Sequence, residues 1–195
     1  MTNDPANFSA DVGNAHGPNW SKWLAHLIGK PGVAGLELGA WRGESAEWML
    51  DNIFTGYGAT YTCVDTFEGS EEHRLAGIDC SENERECRTR LARFGPQARI
   101  HRGMSNDFLR ENYTAAFEAI YVDADHSAMG VLRDGVLGFD LLTVGGVMIF
   151  DDYGWTVMQQ EIDRPKLAID SFLNCYARRL EVIGVGWQVA VRKTA

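Results

Sequence analysis

The chain has no run of about 18 apolar residues, so no membrane-spanning helix and no membrane partner are expected. Its first stretch, MTNDPANFSADVGNAHG, lacks the basic region and apolar core of a secretory signal. It is expected to form a flexible arm over residues 1–18, followed by a single domain over 19–195. Positive charge is sparse: 18 Lys and Arg face 27 Asp and Glu, a net charge of −9. That speaks against a broad nucleic-acid footprint, although a local basic pocket for a small anion stays compatible with it. None of the four cysteines (Cys63, Cys80, Cys87 and Cys175) makes a CxxC pair, so a structural zinc site is not expected and a reduced, cytoplasmic setting is the simplest expectation. The dinucleotide signature G-x-G-x-x-G and the phosphate loop with Gly-Lys-Ser/Thr are both missing. So are internal repeats, low-complexity linkers and any lysine from residue 31 to residue 165.

What is present fits one ordinary folded domain: 195 residues, 45% of them apolar and 23% charged, enough to bury a sizeable core. Residues 19–30 put Trp20, Trp23, Leu24, Leu27 and Ile28 on one helical face. From there strand-like runs alternate with helical ones. The strands are GVAGLELGA, TYTCVDTF, ARIHRGMS, FEAIYVDAD and GGVMIFDD, and a final pair of strands lies in LEVIGVGWQVAVRK. The pattern predicts an α/β fold: a Rossmann-like, doubly wound, mostly parallel sheet of seven strands, with helices on both faces and a C-terminal antiparallel hairpin.

Chemistry-bearing residues gather at the strand ends. LELGAWRGES (36–45) gives E-x-G-x-x-x-G, where glycine permits a tight turn and close approach of a ligand. Glu37 at its lip suits a positively charged amino-acid group, and a plain strand-to-helix turn is the competing explanation. Asp65, which closes the second strand, is placed either to accept hydrogen bonds from ribose hydroxyls or to cap a loop. Met104, in HRGMS, is either a platform for an adenine ring or a core residue. Strands four and five each end in acids: Asp123 and Asp125 before His126, and the pair Asp151–Asp152. If the two strands are neighbours, three carboxylates meet within about 5 Å and repel unless a cation joins them or some take up protons. Oxygen ligands favour magnesium, calcium or manganese. His126 stands where an imidazole can remove a proton. The structural alternative makes Asp125 a helix cap and the rest loop residues.

ELGAWRGES, CVDTFEG, IYVDADHSAMGVLRDG and LLTVGGVMIFDDYGW, in this order and spacing, resemble class I S-adenosylmethionine-dependent methyltransferases. The similarity is to the small O-methyltransferase branch with macrocin O-methyltransferase-like enzymes, more distantly akin to catechol and caffeoyl-CoA methyltransferases. It covers roughly residues 30–192. The resemblance implies Glu37, Gly39 and their neighbours for the methionine part of the cofactor, Asp65 for the ribose, and Met104 and Ser105 for the adenine. Ala40, Trp41, Ser45, Thr66, Phe67, Gly103 and Asp123 complete that cofactor-binding set. It implies Asp123, Asp151 and Asp152 as ligands of a divalent cation. Where the catechol type has a catalytic lysine, this chain has His126, which with Asp123 forms the expected catalytic pair. The polar insert over 71–90 is a departure, expected to form part of a substrate lid. The implied reaction is methyl transfer to a hydroxyl of a small molecule, of the sugar or phenol class. The rivals are a metal-independent O- or N-methyltransferase and a silent S-adenosylmethionine-binding partner protein. A homodimer is the default assembly.

Overall fold

The computed structural model describes residues 12–156 and 160–195. The strands are β1 (Ala34–Leu38), β2 (Thr60–Asp65), β3 (Ala98–Arg102), β4 (Phe117–Val122), β5 (Leu142–Phe150), β6 (Leu180–Val185) and β7 (Val189–Lys193). They form one sheet in the order β3-β2-β1-β4-β5-β7-β6. β1 pairs in parallel with β2 and β4, and the remaining neighbours out to β3 and β5 are parallel too. β7 runs antiparallel to β5, and β6 to β7. Strand order therefore reverses between β1 and β4. At such a switch point the connections leave in opposite directions and open a crevice at the carboxyl ends.

The helices are α1 (Val12–Trp23), α2 (Glu44–Asn52), α3 (Glu71–Leu75), α4 (Asn83–Leu91), α5 (Ser105–Glu111), α6 (Ala128–Leu141) and α7 (Pro165–Tyr176). Trp20 of α1, Met49 and Leu50 of α2, and Cys87 and Leu91 of α4 join one core cluster with Tyr61, Tyr121 and Ile149 of the sheet. Leu109 of α5, Phe139 of α6 and Ile169 and Phe172 of α7 form the other, against Leu36, Val122 and Phe150. The alternation of side chains along each strand sends one set to each cluster, which is why these strands are apolar almost throughout. No helix among the described residues is long and apolar enough to cross a membrane.

Three expectations need correction. α1 begins at Val12, so residues 12–18 belong to a helix rather than an arm, and the expectation for residues 1–11 lies outside the described residues. The helix stops at Trp23 and a short 3-10 turn over Ala25–Leu27 follows, which leaves Ile28 about half exposed instead of on the buried face. The insert over 71–90 divides. Its second half enters α4, which is part of the helical layer: Cys87 and Leu91 are buried, and Arg90 bridges Glu44 and Glu47 of α2. Its first half carries α3, whose His73 ring stacks on Trp41.

Candidate active site at the carboxyl ends of the strands

Each ladder runs one residue beyond its strand. The Gly39 N–H donates to the Val64 carbonyl, the Asp123 N–H to Leu38, the Asp151 N–H to Val122 and the Gly103 N–H to Asp65. Gly39, Asp65, Gly103, Asp123 and Asp151 thus line up along one edge of the sheet, as expected from their place in the sequence.

The β1 turn is tied down by Asp65. Its Oδ2 accepts the N–H groups of Ala40 and Trp41, each at 2.7 Å, and its Oδ1 accepts that of Phe67 at 2.6 Å. The carboxylate thus clamps two loops together, and Oδ1, with one N–H bond against two at Oδ2, keeps a further lone pair for a ligand hydroxyl. Thr66 continues this turn, its hydroxyl accepting from the Glu68 N–H. Trp41 and Phe67 both take a left-handed backbone. The Trp41 ring stacks on His73 of α3 at 4.2 Å, so the front of the insert docks on this turn. Met104 is more than half exposed beside β3, and the Ser105 hydroxyl donates to Asp134 of α6 at 2.8 Å.

Glu37 departs from expectation. It is fully buried, its carboxyl accepting from the Ser45 hydroxyl and the Cys63 thiol, so neither Glu37 nor the Ser45 hydroxyl faces the lip. The physical reason is register: Glu37 pairs with Cys63 and Tyr121, inside the sheet rather than past its end. At Gly39 the space a side chain would fill is taken by the backbone of Asp123 and Ala124.

Burial, against the bond from Ser45 and with added repulsion from Asp123, pushes Glu37 from an ordinary 4.5 up to about 8. Asp123 is also pushed well up, by burial first and then by the charge of Asp151, while His126 pulls it down. A carboxyl whose folded value lies above its unfolded one holds a proton more tightly when folded. The metal-free protein should therefore gain stability as pH falls from about 8 towards 4.5, and lose it as pH rises through that window. Urea midpoints measured across it check this, and Glu37→Gln should flatten the slope. An unchanged slope in that variant would show that Glu37 does not contribute.

β4 and β5 deliver the acids. Beyond Asp123 the chain makes two local turns: Asp125 Oδ1 accepts the Ser127 N–H at 2.9 Å, and the Ser127 hydroxyl caps α6 by accepting from Gly130 at 3.1 Å. Asp125 is thus a local turn former, and the helix cap that the structural alternative gave to it is Ser127. Between these turns His126 points its Nε2 at Asp123 Oδ1, 3.4 Å away, and at Asp152 Oδ2, 3.2 Å away. The Trp155 ring meets the imidazole edge to face at 5.2 Å. Asp123, His126 and Asp152 offer donor atoms that all lie within 4.8 Å of one another, a geometry able to hold one cation.

Asp151 was expected in that set, and the structure gives it another position. Its Oδ1 accepts the Asp152 N–H at 2.7 Å, and its Oδ2 accepts from the Tyr121 hydroxyl and, at 3.0 Å, from the Gln188 amide. Asp152 takes a left-handed backbone, φ 57°, so the chain leaves the strand there and the two acids diverge. Tyr153 turns from the crevice, its hydroxyl donating to Asp170 at 2.9 Å. Sequence reasoning missed Tyr121, although it lies two residues before Asp123 and hence on the same strand face. It missed Gln188 as well, for which no local signal existed.

The family described as methyltransferase domain matches residues 36–153. No curated protein matches the chain in sequence. Among solved structures, an O-methyltransferase from Bacillus cereus in complex with SAH superposes with a TM-score of 0.65 at 21% identity, over 96% of this chain and 86% of that one. The O-methyltransferase NovP superposes with a TM-score of 0.71 at 21% identity, over 91% and 79%. The MycE methyltransferase of the mycinamycin biosynthetic pathway, in complex with Mg and SAH, gives 0.63 at 16% identity, over 92% of this chain and 49% of that one.

Proposed function

The chain belongs to the methyltransferase domain family, and from that premise we propose an S-adenosylmethionine-dependent O-methyltransferase acting on a hydroxyl of a small molecule, with a divalent cation and a histidine base. The observation that carries this reading is the convergence of Asp123, His126 and Asp152 beside the Gly39 turn.

The residues present fit the cofactor. Asp65 keeps acceptor capacity for ribose hydroxyls, the Asp123 carboxyl suits an ammonium group, and Met104 offers an exposed apolar face for adenine, with Ser105 next to it. S-adenosylmethionine supplies a methyl group already activated on a sulfonium sulfur. The chain therefore has to align the acceptor oxygen and take its proton.

The residues also fit a cation. Asp123 and Asp152 bring two anionic oxygens to one point, as magnesium, calcium or manganese requires. Such an ion would lower the pKa of an acceptor hydroxyl and fix its position. Asp151 stands behind the pair and shapes it. An imidazolium offsets one of the two carboxylate charges, whereas a divalent cation would offset both. Held by Asp123 and Asp152, such an ion would weaken the electrostatic hold on a proton at His126 Nε2 and leave the imidazole to accept the hydroxyl proton.

A second reading has its own support. His126 Nε2 already lies close to both carboxylates, which would stabilise the imidazolium formed when it takes the acceptor's proton, without an ion. That favours a metal-independent transferase with the same base, and full activity in the presence of a chelator would select it.

The cofactor half is tested by thermal shift. S-adenosylhomocysteine at about 100 times its dissociation constant should stabilise by about 2.7 kcal/mol. Asp65→Ala should weaken that binding by about 1 to 3 kcal/mol, because it loses hydrogen bonds to a charged group and unties the β1 turn. Stabilisation by NAD in place of S-adenosylhomocysteine would refute the reading.

A further inference from the structure

Behind the acid pair runs a buried chain of hydrogen bonds that links four distant parts of the sequence. Gln188 immediately precedes β7 and is buried. Its Oε1 accepts from Trp20 Nε1 of α1 at 2.9 Å. Its Nε2 donates to Asp151 Oδ2 at 3.0 Å and lies 3.3 Å from the Tyr121 hydroxyl. Tyr121 donates to the same Asp151 oxygen, and Trp20 packs edge to face on the Tyr121 ring at 5.3 Å. The other Asp151 oxygen accepts the Asp152 N–H at 2.7 Å.

The chemistry of the partners sets the direction of every bond. An indole N–H only donates and a carboxylate only accepts, so the group between them must accept on one side and donate on the other. An amide does both; a methionine, leucine or carboxylate at position 188 does not. Asp152 needs the support. A left-handed backbone is strained for a residue with a side chain, and such a conformation persists where its surroundings enforce it. The Asp151 carboxylate is one enforcing contact, and Gln188 and Tyr121 decide how that carboxylate is turned.

We propose that Gln188, held in place by Trp20, is a positioning residue: it orients Asp151, which sets the turn that aims the Asp152 carboxylate at Asp123 and His126. The N-terminal helix and the last strand are thereby built into the site. This rests on the reading of Asp123, His126 and Asp152 as the cation and base site, but its first test does not need a cation.

That test is amide hydrogen exchange in the metal-free protein. Gln188→Met keeps the bulk and removes both polar functions. The Asp152 amide should exchange at least about tenfold faster than in the unmodified protein, relative to other amides of the β5 end. Val191→Ala, a buried change on the same strand with no polar partner, serves as the matched structural control and should not single out that amide. The second test is manganese binding, followed by electron paramagnetic resonance. Gln188→Met should weaken it by about 10- to 100-fold, the range for partners that orient metal ligands. S-adenosylhomocysteine affinity should stay within about threefold. Should Gln188→Met not fold, Trp20→Phe removes the outer bond of the chain together with part of the buried ring, and should show the same selective loss of Asp152 protection at smaller amplitude. Unchanged Asp152 exchange in a folded Gln188→Met or Trp20→Phe protein would overturn the proposal. If manganese does not bind the unmodified protein, the cation reading falls, and the exchange measurement still decides the role of Gln188.

Discussion

Replacing His126 by alanine should lower turnover by at least about 100-fold, since a positioned base contributes about 10²- to 10⁴-fold. S-adenosylmethionine affinity should change by less than about threefold, because none of the turns expected to hold the cofactor depends on this ring. The pattern of a lost turnover number with preserved binding marks an interaction made in the transition state. Three roles compete for His126 Nε2, which lies 3.4 Å from Asp123 and 3.2 Å from Asp152. It can be the base, a ligand of the cation, or the charge that partly offsets the two acids. Manganese titration separates them. A base, or a competing imidazolium, leaves cation affinity in His126→Ala equal or higher; a ligand leaves it at least about tenfold lower. Activity should also fall in acid as the imidazole is protonated, and the remaining activity of His126→Ala should lose that limb. Near-normal turnover in this variant, on a sugar or phenol that the unmodified protein methylates, would assign proton removal to the cation and solvent alone.

The sheet was legible because parallel strands buried on both faces appear as unbroken apolar runs, and each run here stops at a glycine or an acid. Asp65, Asp123 and Asp151 were legible as strand-end acids for the same reason, and the pairing of β4 with β5 brings the last two together. Glu37 looked like one of them but lies within the ladder, paired with Cys63, and register over a single residue cannot be fixed from pattern alone. The divergence of Asp151 and Asp152 depends on a left-handed aspartate, a conformation that sequence signals only when glycine occupies it. Gln188 lies 37 positions from the acid it holds, and no local periodicity connects them. α1 was expected only from residue 19, where the apolar helical face begins, yet it starts at Val12 and carries Pro18 inside.

Gly39→Ala should damage the fold severely, at about 4 kcal/mol or more, a loss confined to a few mechanisms. Two of them coincide at this residue. Its φ of +87° is a conformation in which an L side chain is strained, worth about 1 to 2 kcal/mol. The added methyl would overlap the Asp123 carbonyl oxygen, and would stand 2.5 Å from the carbonyl carbon and 2.7 Å from the Ala124 Cα. All three are backbone atoms, so no side-chain rotation relieves the overlap. The β1 turn has to rebuild, or the end of β4 has to move away and take Asp123 with it. Gly43 makes the internal comparison. Its φ is also positive, +82°, but the nearest neighbour of an added methyl is the Cys87 sulfur at 3.1 Å, a side-chain atom rather than backbone. Gly43→Ala should therefore cost only about 1 to 2 kcal/mol. Against a typical total stability of about 5 to 15 kcal/mol, the first change brings the protein near its unfolding threshold and the second does not. Urea unfolding of the two variants side by side gives the comparison. If Gly39→Ala retains stability within about 1 kcal/mol of the unmodified protein, the close approach of the β1 turn to the end of β4 is misplaced, and with it the alignment of Gly39 with Asp123 on which the site is built.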